Sequence, residues 1–211
     1  MSHIVDLTMS YTNQSVGFSK TVSKTIIDDG WNASTLVFYS HCGTHMDAPV
    51  HFSVNNQSID EIPVTDFVGK AWVVDARHIG ANGLISVNEI SEDIQKNFVS
   101  GDSIIIWTDW SKHVGTQKYR DELPRISETL ANWCLDKGVK MIAVEPPSVA
   151  DVNNIDEVTK IHEILLKSVV IIEGLTNIEQ LKSNCVELIA LPLKIQGGDG
   201  SPARVIAIEK Y

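Results

Sequence analysis

Short runs of β-branched and aliphatic residues recur along the chain and predict strands, because apolar blocks of this length are typical of a buried sheet. The predicted strands cover residues 35–39, 71–75, 103–108, 140–144, 169–173, 186–191 and 204–208. Three intervening segments carry apolar residues every three to four positions and predict helices over 87–98, 125–136 and 158–167. Pro124 and Gly138 flank the second helix as start and stop signals. The alternation predicts an α/β fold with a mixed sheet.

The rest of the pattern and the composition indicate one globular unit. Residues 10–32 are rich in Ser, Thr, Asn and Gly and predict extended or loop structure. A chain of 211 residues that is 43% hydrophobic can build a substantial core. We therefore expect a single domain over residues 1–211.

The charge and the apolar runs exclude several partners. A net charge of -10 leaves no basic field for a phosphate backbone, so we expect no nucleic-acid partner. No apolar run approaches the roughly 18 residues that span a bilayer, and the first residues lack the pattern of a secretory signal. Three widely spaced cysteines indicate neither a disulfide framework nor a thiolate zinc site. We expect a cytoplasmic protein with no membrane partner.

One segment has the composition of a metal site. His41, His45, Asp47 and His51 fall within eleven consecutive positions, among neutral and apolar neighbours. Single histidines in loops are usually ordinary polar residues, but three with a carboxylate at this density favour a metal. Imidazole and carboxylate ligands suit zinc, manganese or iron, and a set without thiolate often leaves a position for water or substrate.

The spacing of this segment predicts that the backbone curls. On an extended strand, which rises about 3.3 Å per residue, His41 and His45 would lie roughly 13 Å apart. Ligands of a common ion each need to lie about 2 Å from it. Gly43 permits unusual dihedral angles and Pro49 interrupts strand pairing, so both break the extended form where the curl is required.

A second cluster combines His162 with Glu173. We expect His162 near the start of a short helix and Glu173 at the end of the apolar strand that follows. Rises of about 1.5 Å per helical residue and 3.3 Å per strand residue allow the two side chains to meet. A carboxylate that closes so apolar a strand needs a cation, hydrogen-bond donors or water, and a metal would satisfy both clusters.

The glycine-rich segment 192–204 lacks the pattern of a nucleotide phosphate loop. Two interpretations remain open for it. It is either a long hairpin turn, or Gly197, Gly198 and Gly200 let backbone N–H groups approach a substrate oxygen.

The motifs together resemble a known family. The string His-x-Gly-Thr-His-x-Asp-x-Pro-x-His-Phe over residues 41–52 is similar to the signature of the cyclase family of metal-dependent hydrolases, which includes bacterial kynurenine formamidase and isatin hydrolase. Further matches follow in the family's order at residues 108–110, 147–149, 162, 173–175, 192–194 and 199–204. The resemblance covers nearly the whole chain.

The resemblance implies a swivelling β/β/α domain with a barrel-like mixed sheet and flanking helices, usually a homodimer. It implies one or two zinc or manganese ions per chain. The implied metal ligands are His41, His45, Asp47, His162 and Glu173, with Asp47 able to bridge two ions. His51 would be the general acid/base, since a neutral imidazole can pass a proton to a leaving nitrogen.

The expected function is hydrolysis of a C–N bond in a small-molecule amide, arylformamide or cyclic amide by metal-activated water. A lactone or imide hydrolase, or an inactive metal-binding scaffold, are the alternatives. Phe52, Trp110 and Phe18 are the candidate substrate contacts. Residues 11–18 replace the Trp-Pro-Gly-Asp type segment common in kynurenine formamidases, which weakens N-formylkynurenine as the substrate.

Overall fold

The computed structural model describes residues 2–209, and its centre is a closed barrel. Its strands, in chain order, are β1 (His3–Asp6), β2 (Phe18–Lys24), β3 (Ala33–Phe38), β4 (His45–Asp47), β5 (Val68–Asp75), β6 (Leu84–Ile85), β7 (Ser103–Trp107), β8 (Arg125–Ile126), β9 (Met141–Val144), β10 (Val170–Glu173), β11 (Cys185–Pro192) and β12 (Gly200–Glu209). Seven strands close the ring in the order β12-β11-β5-β7-β9-β10-β4, because β4 also pairs with β12. The predicted α/β fold with a barrel-like mixed sheet is confirmed.

Parallel and antiparallel pairings divide the barrel. Strands β5, β7, β9 and β10 are parallel neighbours, whereas β4, β11 and β12 pair antiparallel. Strand β1 extends the sheet beside β12, β2 and β3 form a separate hairpin, and β6 pairs with β8. The parallel strands bring their carboxyl ends to one edge, where their last residues can share a site.

Five α-helices are described: α1 (Ile26–Asp29), α2 (Glu92–Asn97), α3 (Gln117–Asp121), α4 (Glu128–Lys137) and α5 (Ile155–Leu165). Single 3₁₀ turns lie at Pro49–Phe52, Val64–Phe67, Val87–Glu89, Trp110–His113 and Ile178–Gln180. Over residues 2–209, every helix is too short or too polar to cross a bilayer.

Two apolar cores lie on the two faces of the sheet. One fills the barrel with residues such as Met46, Ile105 and Ile172. The other packs the outer face against α4 and α5 and includes Ile171. Strand residues alternate between faces, so Glu173 shares the outer face with Ile171, on the side of the helices.

The strand prediction over 35–39 placed that segment in the sheet core, and this was wrong. Strand β3 lies in the separate hairpin, and its middle residues are exposed on both faces. The seventh barrel strand is β4, which comes from the histidine-rich segment. Only three residues of that segment form a strand, and an alternation of apolar and polar residues cannot be recognised over so few positions.

The helix boundaries also differ from those predicted, because polar caps decide where each helix begins. Ser91 caps α2, so residues 87–89 form a separate turn, and Ser127 caps α4, so Arg125 and Ile126 remain extended. Asn154 caps α5, so the helix begins at Ile155, three residues before the predicted start at residue 158. His162 therefore lies in the last turn of its helix, and the prediction that it lies near the start was wrong.

Candidate metal centre

The two clusters separated by more than 110 residues meet on the outer face of the barrel. His45 pairs with Glu173 across the β4–β10 ladder, and Asp47 lies two residues further along the same face. Helix α5 covers this face with His162, while His41 approaches from the turn before β4. His45, Asp47, His162 and Glu173 are all almost completely buried.

Tight backbone contacts hold the histidine-rich turn against the end of β10. Gly43 and Gly174 both have positive φ angles, of 61° and 71°. A Cβ on Gly174 would overlap the carbonyl oxygen of Gly43, and the Thr44 hydroxyl donates to the Gly174 carbonyl. The curl predicted at Gly43 is present, and it needs glycine on both sides of the contact.

The Asp47 carboxylate lies between the two groups of ligands. Its Oδ1 is 2.8 Å from His41 Nδ1 and 3.6 Å from His45 Nε2. Its Oδ2 is 3.5 Å from His162 Nε2 and has no hydrogen-bond partner, although the side chain is only 1% exposed. A buried carboxylate oxygen without a donor requires a cation or a water molecule.

Two sets of side chains fit a divalent ion. His41, His45 and Asp47 form one set, and Asp47, His162 and Glu173 form the other, each with ligand atoms within 4.8 Å of one another. Nitrogen and oxygen ligands about 2 Å from an ion lie about 3–3.5 Å apart around it. The Asp47 oxygen without a hydrogen-bond partner and the absence of lysine from both sets make the residues present fit a divalent ion.

Carboxylates around the candidate histidine ligands favour the protonated form of these imidazoles when no metal is bound. Burial alone would lower the pKa of His41, but hydrogen bonds to Asp47 and Asp199 raise it to about 9. Burial likewise opposes charge on His162, but the nearby carboxylates of Asp47 and Glu173 raise its pKa to about 10. A metal ion would replace these protons, so its binding would depend on pH.

His51 lies at the open side of the cluster. Its ring stacks on that of His41, with centroids 3.9 Å apart, and its side chain is 26% exposed. Burial lowers the pKa of His51 below its usual value. The charges of Asp47 and Asp199 oppose this shift, and those of His41 and His162 reinforce it. His51 is therefore neutral near pH 7, as a general base must be.

The structure places the three candidate substrate contacts differently. Phe52 stacks on His162 at 4.3 Å and meets the edge of the His51 ring at 4.5 Å. Phe18 belongs to an aromatic cluster with Tyr11, whose hydroxyl donates to the backbone of the histidine-rich turn. Phe52 adjoins the candidate catalytic histidine directly, and Phe18 supports the turn.

Trp110 is almost completely buried. Its indole N–H donates to the Tyr119 carbonyl, and its ring meets that of His113. Its backbone N–H faces Glu145, a fully buried carboxylate that also accepts from Thr108. Trp110 thus belongs to a packed wall beside the carboxyl ends of β7 and β9.

Asp199 lies in the family motif at residues 199–204 but was not among the site residues predicted from the sequence. Its carboxylate lies 2.9 Å from His41 Nε2 and 3.8 Å from His51 Nδ1. His41, His51 and Asp199 also have ligand atoms within 4.8 Å of one another. Its position directly after Gly197 and Gly198, inside the family motif at residues 199–204, was the available signal.

The glycine-rich segment is a hairpin between β11 and β12. The Gly197 N–H donates to Asp60 and the Gly198 N–H to the Ile195 carbonyl, so neither is free for a substrate. Gly200 pairs with Asp47 across the β12–β4 ladder. The hairpin interpretation holds, and the loop brings Asp199 next to His41.

Comparisons with known proteins agree with this geometry. The family model Cyclase, described as "Putative cyclase", matches residues 5–151. The kynurenine formamidase of Bacillus cytotoxicus is 30% identical over 190 residues, which cover 90% of this chain and 86% of that protein. The kynurenine formamidase of Salinibacter ruber is 30% identical over 195 residues, which cover 92% and 88%.

Solved structures share the fold. Isatin hydrolase A from Labrenzia aggregata superposes with a TM-score of 0.90 at 24% identity, covering 100% of this chain and 94% of that one. A potential metal-dependent hydrolase with cyclase activity gives a TM-score of 0.79 at 21% identity, with both chains fully covered. The family model spans well over half of the chain, and the two formamidases align with nearly all of it. The chain belongs to the cyclase family.

Proposed function

We propose that this protein is a metal-dependent hydrolase that cleaves the C–N bond of an amide, an arylformamide or a cyclic amide. The observation that carries the proposal is the meeting of two histidine–carboxylate sets at the buried Asp47 carboxylate, whose Oδ2 has no hydrogen-bond partner. The 30% identical relatives named kynurenine formamidase support amide chemistry.

The proposed cofactor is zinc or manganese, with up to two ions per chain. His41, His45 and Asp47 would hold one ion, and Asp47, His162 and Glu173 the other. When bound, such an ion polarises a carbonyl group and lowers the pKa of water toward 7. The donor set of imidazoles and carboxylates, without thiolate, suits either metal.

In this proposal His51 moves the proton. Its neutral imidazole lies beside both ligand sets and remains partly open to solvent. It accepts a proton from the attacking water and delivers it to the nitrogen of the departing amine, which otherwise leaves as an unstable amide anion. The buried ligands hold the geometry, and His51 alone changes its protonation state.

The proposed substrate is a small aromatic amide, and three side chains would contact it. Phe52 offers a ring face next to His51, and Phe18 and Trp110 would contribute from the adjoining aromatic cluster and wall. A flat aryl group stacks favourably on such rings. The relatives' names, kynurenine formamidase and isatin hydrolase, both fit an aryl amide.

We also propose a homodimer located in the cytoplasm. The hairpin of β2 and β3 carries exposed apolar side chains on a common face, including Val22 and Leu36, which a second copy would cover. Cys42, Cys134 and Cys185 are free thiols, which fits a reducing compartment.

The test combines metal content with activity. Elemental analysis of the purified protein is expected to find zinc or manganese, and hydrolysis of N-formylkynurenine, isatin or simple lactones identifies the substrate class. Chelation should abolish the activity, and adding the metal back should restore it. If the protein neither retains nor takes up these ions, and no substrate turns over after they are added, the proposal is wrong.

A further inference from the structure

The three candidate histidine ligands each direct one ring nitrogen into the cluster and hydrogen-bond the other outside it. The outward Nδ1 of His45 donates to the Gly43 carbonyl at 2.9 Å. The outward Nδ1 of His162 donates to the Val158 carbonyl at 2.7 Å. Such outer bonds fix which nitrogen faces a metal.

His41 has the opposite orientation and a different kind of partner. Its Nδ1 faces Asp47, and its outward Nε2 lies 2.9 Å from the Asp199 carboxylate. His51 stacks on the ring and Gly200 lies close to it, and Asp199 is the group that bonds its outward nitrogen. His41 is thus the one histidine of the three whose outward nitrogen is bonded by a side chain and not by a backbone carbonyl.

We propose that Asp199 is a positioning residue for the metal centre. It holds the His41 ring so that Nδ1, and not Nε2, faces the ion shared with His45 and Asp47. This inference rests on the proposed function, because it assigns a role toward the same metal. The proposed role distinguishes the two ligand sets, because Asp199 bonds His41 of the first set, whereas residues 2–209 show no hydrogen bond or ion pair between Asp199 and the second set of Asp47, His162 and Glu173.

The backbone places Asp199 for this role. The Ala48 N–H donates to the Asp199 carbonyl at 2.9 Å, which ties the loop to the end of β4. Gly200 lies so close to His41 that a Cβ there would come within 2.6 Å of the ring. The Ser40 hydroxyl donates to the Asp199 carboxylate at 3.3 Å. Loop and ring are therefore held together by contacts on both sides of the carboxylate.

The distance to His51 points to His41 as the residue on which Asp199 acts. At 3.8 Å, the contact between Asp199 and His51 Nδ1 is too long for a hydrogen bond. A direct metal-ligand role for Asp199 is also disfavoured. If His41 Nε2 held an ion together with Asp199, Nδ1 would carry the ring proton and could not bind the ion shared with His45 and Asp47. His41 could bind both ions only after losing both ring protons.

The experiment measures metal binding by Asp199→Ala, Asp199→Asn and a control, Asp60→Ala. Asp60 accepts a hydrogen bond from the Gly197 N–H of the same loop and forms no hydrogen bond or ion pair with His41 among the described residues. Zinc and manganese affinities are determined by competition with a chelating dye, using protein first stripped of metal. We expect Asp199→Ala to weaken one of the two binding steps by about 10–100-fold and to spare the other.

Asp199→Asn is expected to lose less, because its amide oxygen can still accept from His41 Nε2. Asp60→Ala should bind both ions as the unmodified protein does. If Asp199→Ala folds and binds both ions with unchanged affinity, the positioning role is wrong; if it does not fold, Asp199→Asn decides by the same comparison. Failure of the unmodified protein to bind either metal would instead overturn the proposed function.

A second measurement reads the ring directly. In zinc-loaded protein labelled with ¹⁵N-histidine, the His41 Nε2 proton should give an exchange-protected signal typical of a hydrogen bond to a carboxylate. Asp199→Ala should remove that signal, while Asp60→Ala keeps it. Loss of a whole binding step, with one ion fewer per chain, would show that Asp199 is itself a ligand and would overturn the positioning role.

Discussion

At the scale of single residues, the chemistry depends on which groups are buried and which remain reachable. Asp47 and His162 are enclosed and hold fixed positions, whereas His51 is partly open and neutral. Enclosure suits ligands, because rigid donors pre-organise an ion, and exposure suits a proton carrier, because water and substrate must reach it. The division of roles follows from burial more than from residue type.

Replacing His51 with Ala is expected to lower kcat by about 10²–10⁴-fold, the usual effect of losing a general acid/base, while metal content stays unchanged. Steady-state kinetics and elemental analysis on the same preparation test this. His78→Ala is the matched control, because His78 is 66% exposed and lies away from the cluster. Equal activity of the His51 variant and the unmodified protein would contradict a catalytic role.

Replacing Gly174 with Ala is expected to lower the free energy of unfolding by about 2–5 kcal/mol, because a Cβ would add left-handed strain and overlap the Gly43 carbonyl. Gly30→Ala shares the positive φ but meets nothing within 4 Å, so it should lose only about 1–2 kcal/mol. Urea unfolding of the metal-free proteins measures both. Equal losses would show that the close approach is unimportant.

At the scale of elements, the carboxyl ends of the parallel strands determine where polar groups collect. Thr108 follows β7, Glu145 follows β9, and Glu173 closes β10, so three neighbouring strand ends carry polar side chains. Glu145 uses its carboxylate to accept four hydrogen bonds from residues 108–111 and so joins the loops after β7 and β9. These loops form the wall that contains Trp110.

Replacing Glu145 with Gln is expected to lower the free energy of unfolding by about 1.5–3 kcal/mol, because hydrogen bonds to a buried charge become neutral ones. Chemical denaturation of the metal-free protein measures the loss. Glu128→Gln serves as the control, since its ion pair with Lys160 is half exposed and should contribute less than about 1 kcal/mol. A Glu145 variant as stable as the control would contradict the anchoring role.

At the scale of the whole molecule, the barrel buries its apolar residues and the hairpin does not. Strands β2 and β3 pair only with each other among the described strands. Val22 and Leu36 lie on the same face of the hairpin as Phe18 and Phe38, and they are 63% and 50% exposed. Exposed apolar side chains on one face of a separate hairpin are typical of an interface with another chain.

Introducing lysine at both Val22 and Leu36 is expected to convert a dimer into a monomer, because two charges would have to be buried at the interface. Light scattering after gel filtration measures the mass. Val114→Lys alters an equally exposed apolar residue outside the hairpin and should leave the dimer intact. A double variant that remains dimeric would exclude the hairpin as the interface, and a monomeric unmodified protein would exclude the dimer.

Much of the fold could be predicted from the sequence because its signals are local. The parallel strands β7, β9 and β10 read as apolar runs, since both of their faces are covered, and proline and glycine mark the limits of α4. The ligand candidates could be named because imidazoles and carboxylates in so apolar a setting need a cation. Three residues of strand in β4 were too few for periodicity to indicate.

The sequence by itself determined the kinds of element, the family and the residues able to hold a metal. Only the tertiary structure decided that β4 closes the barrel, that His162 reaches Asp47 from the last turn of α5, and that Asp199 contacts His41. The physical reason is that propensities and caps act over a few neighbouring residues, whereas these contacts join segments more than 110 residues apart. Such contacts arise only when the sheet closes and Gly43 packs against Gly174.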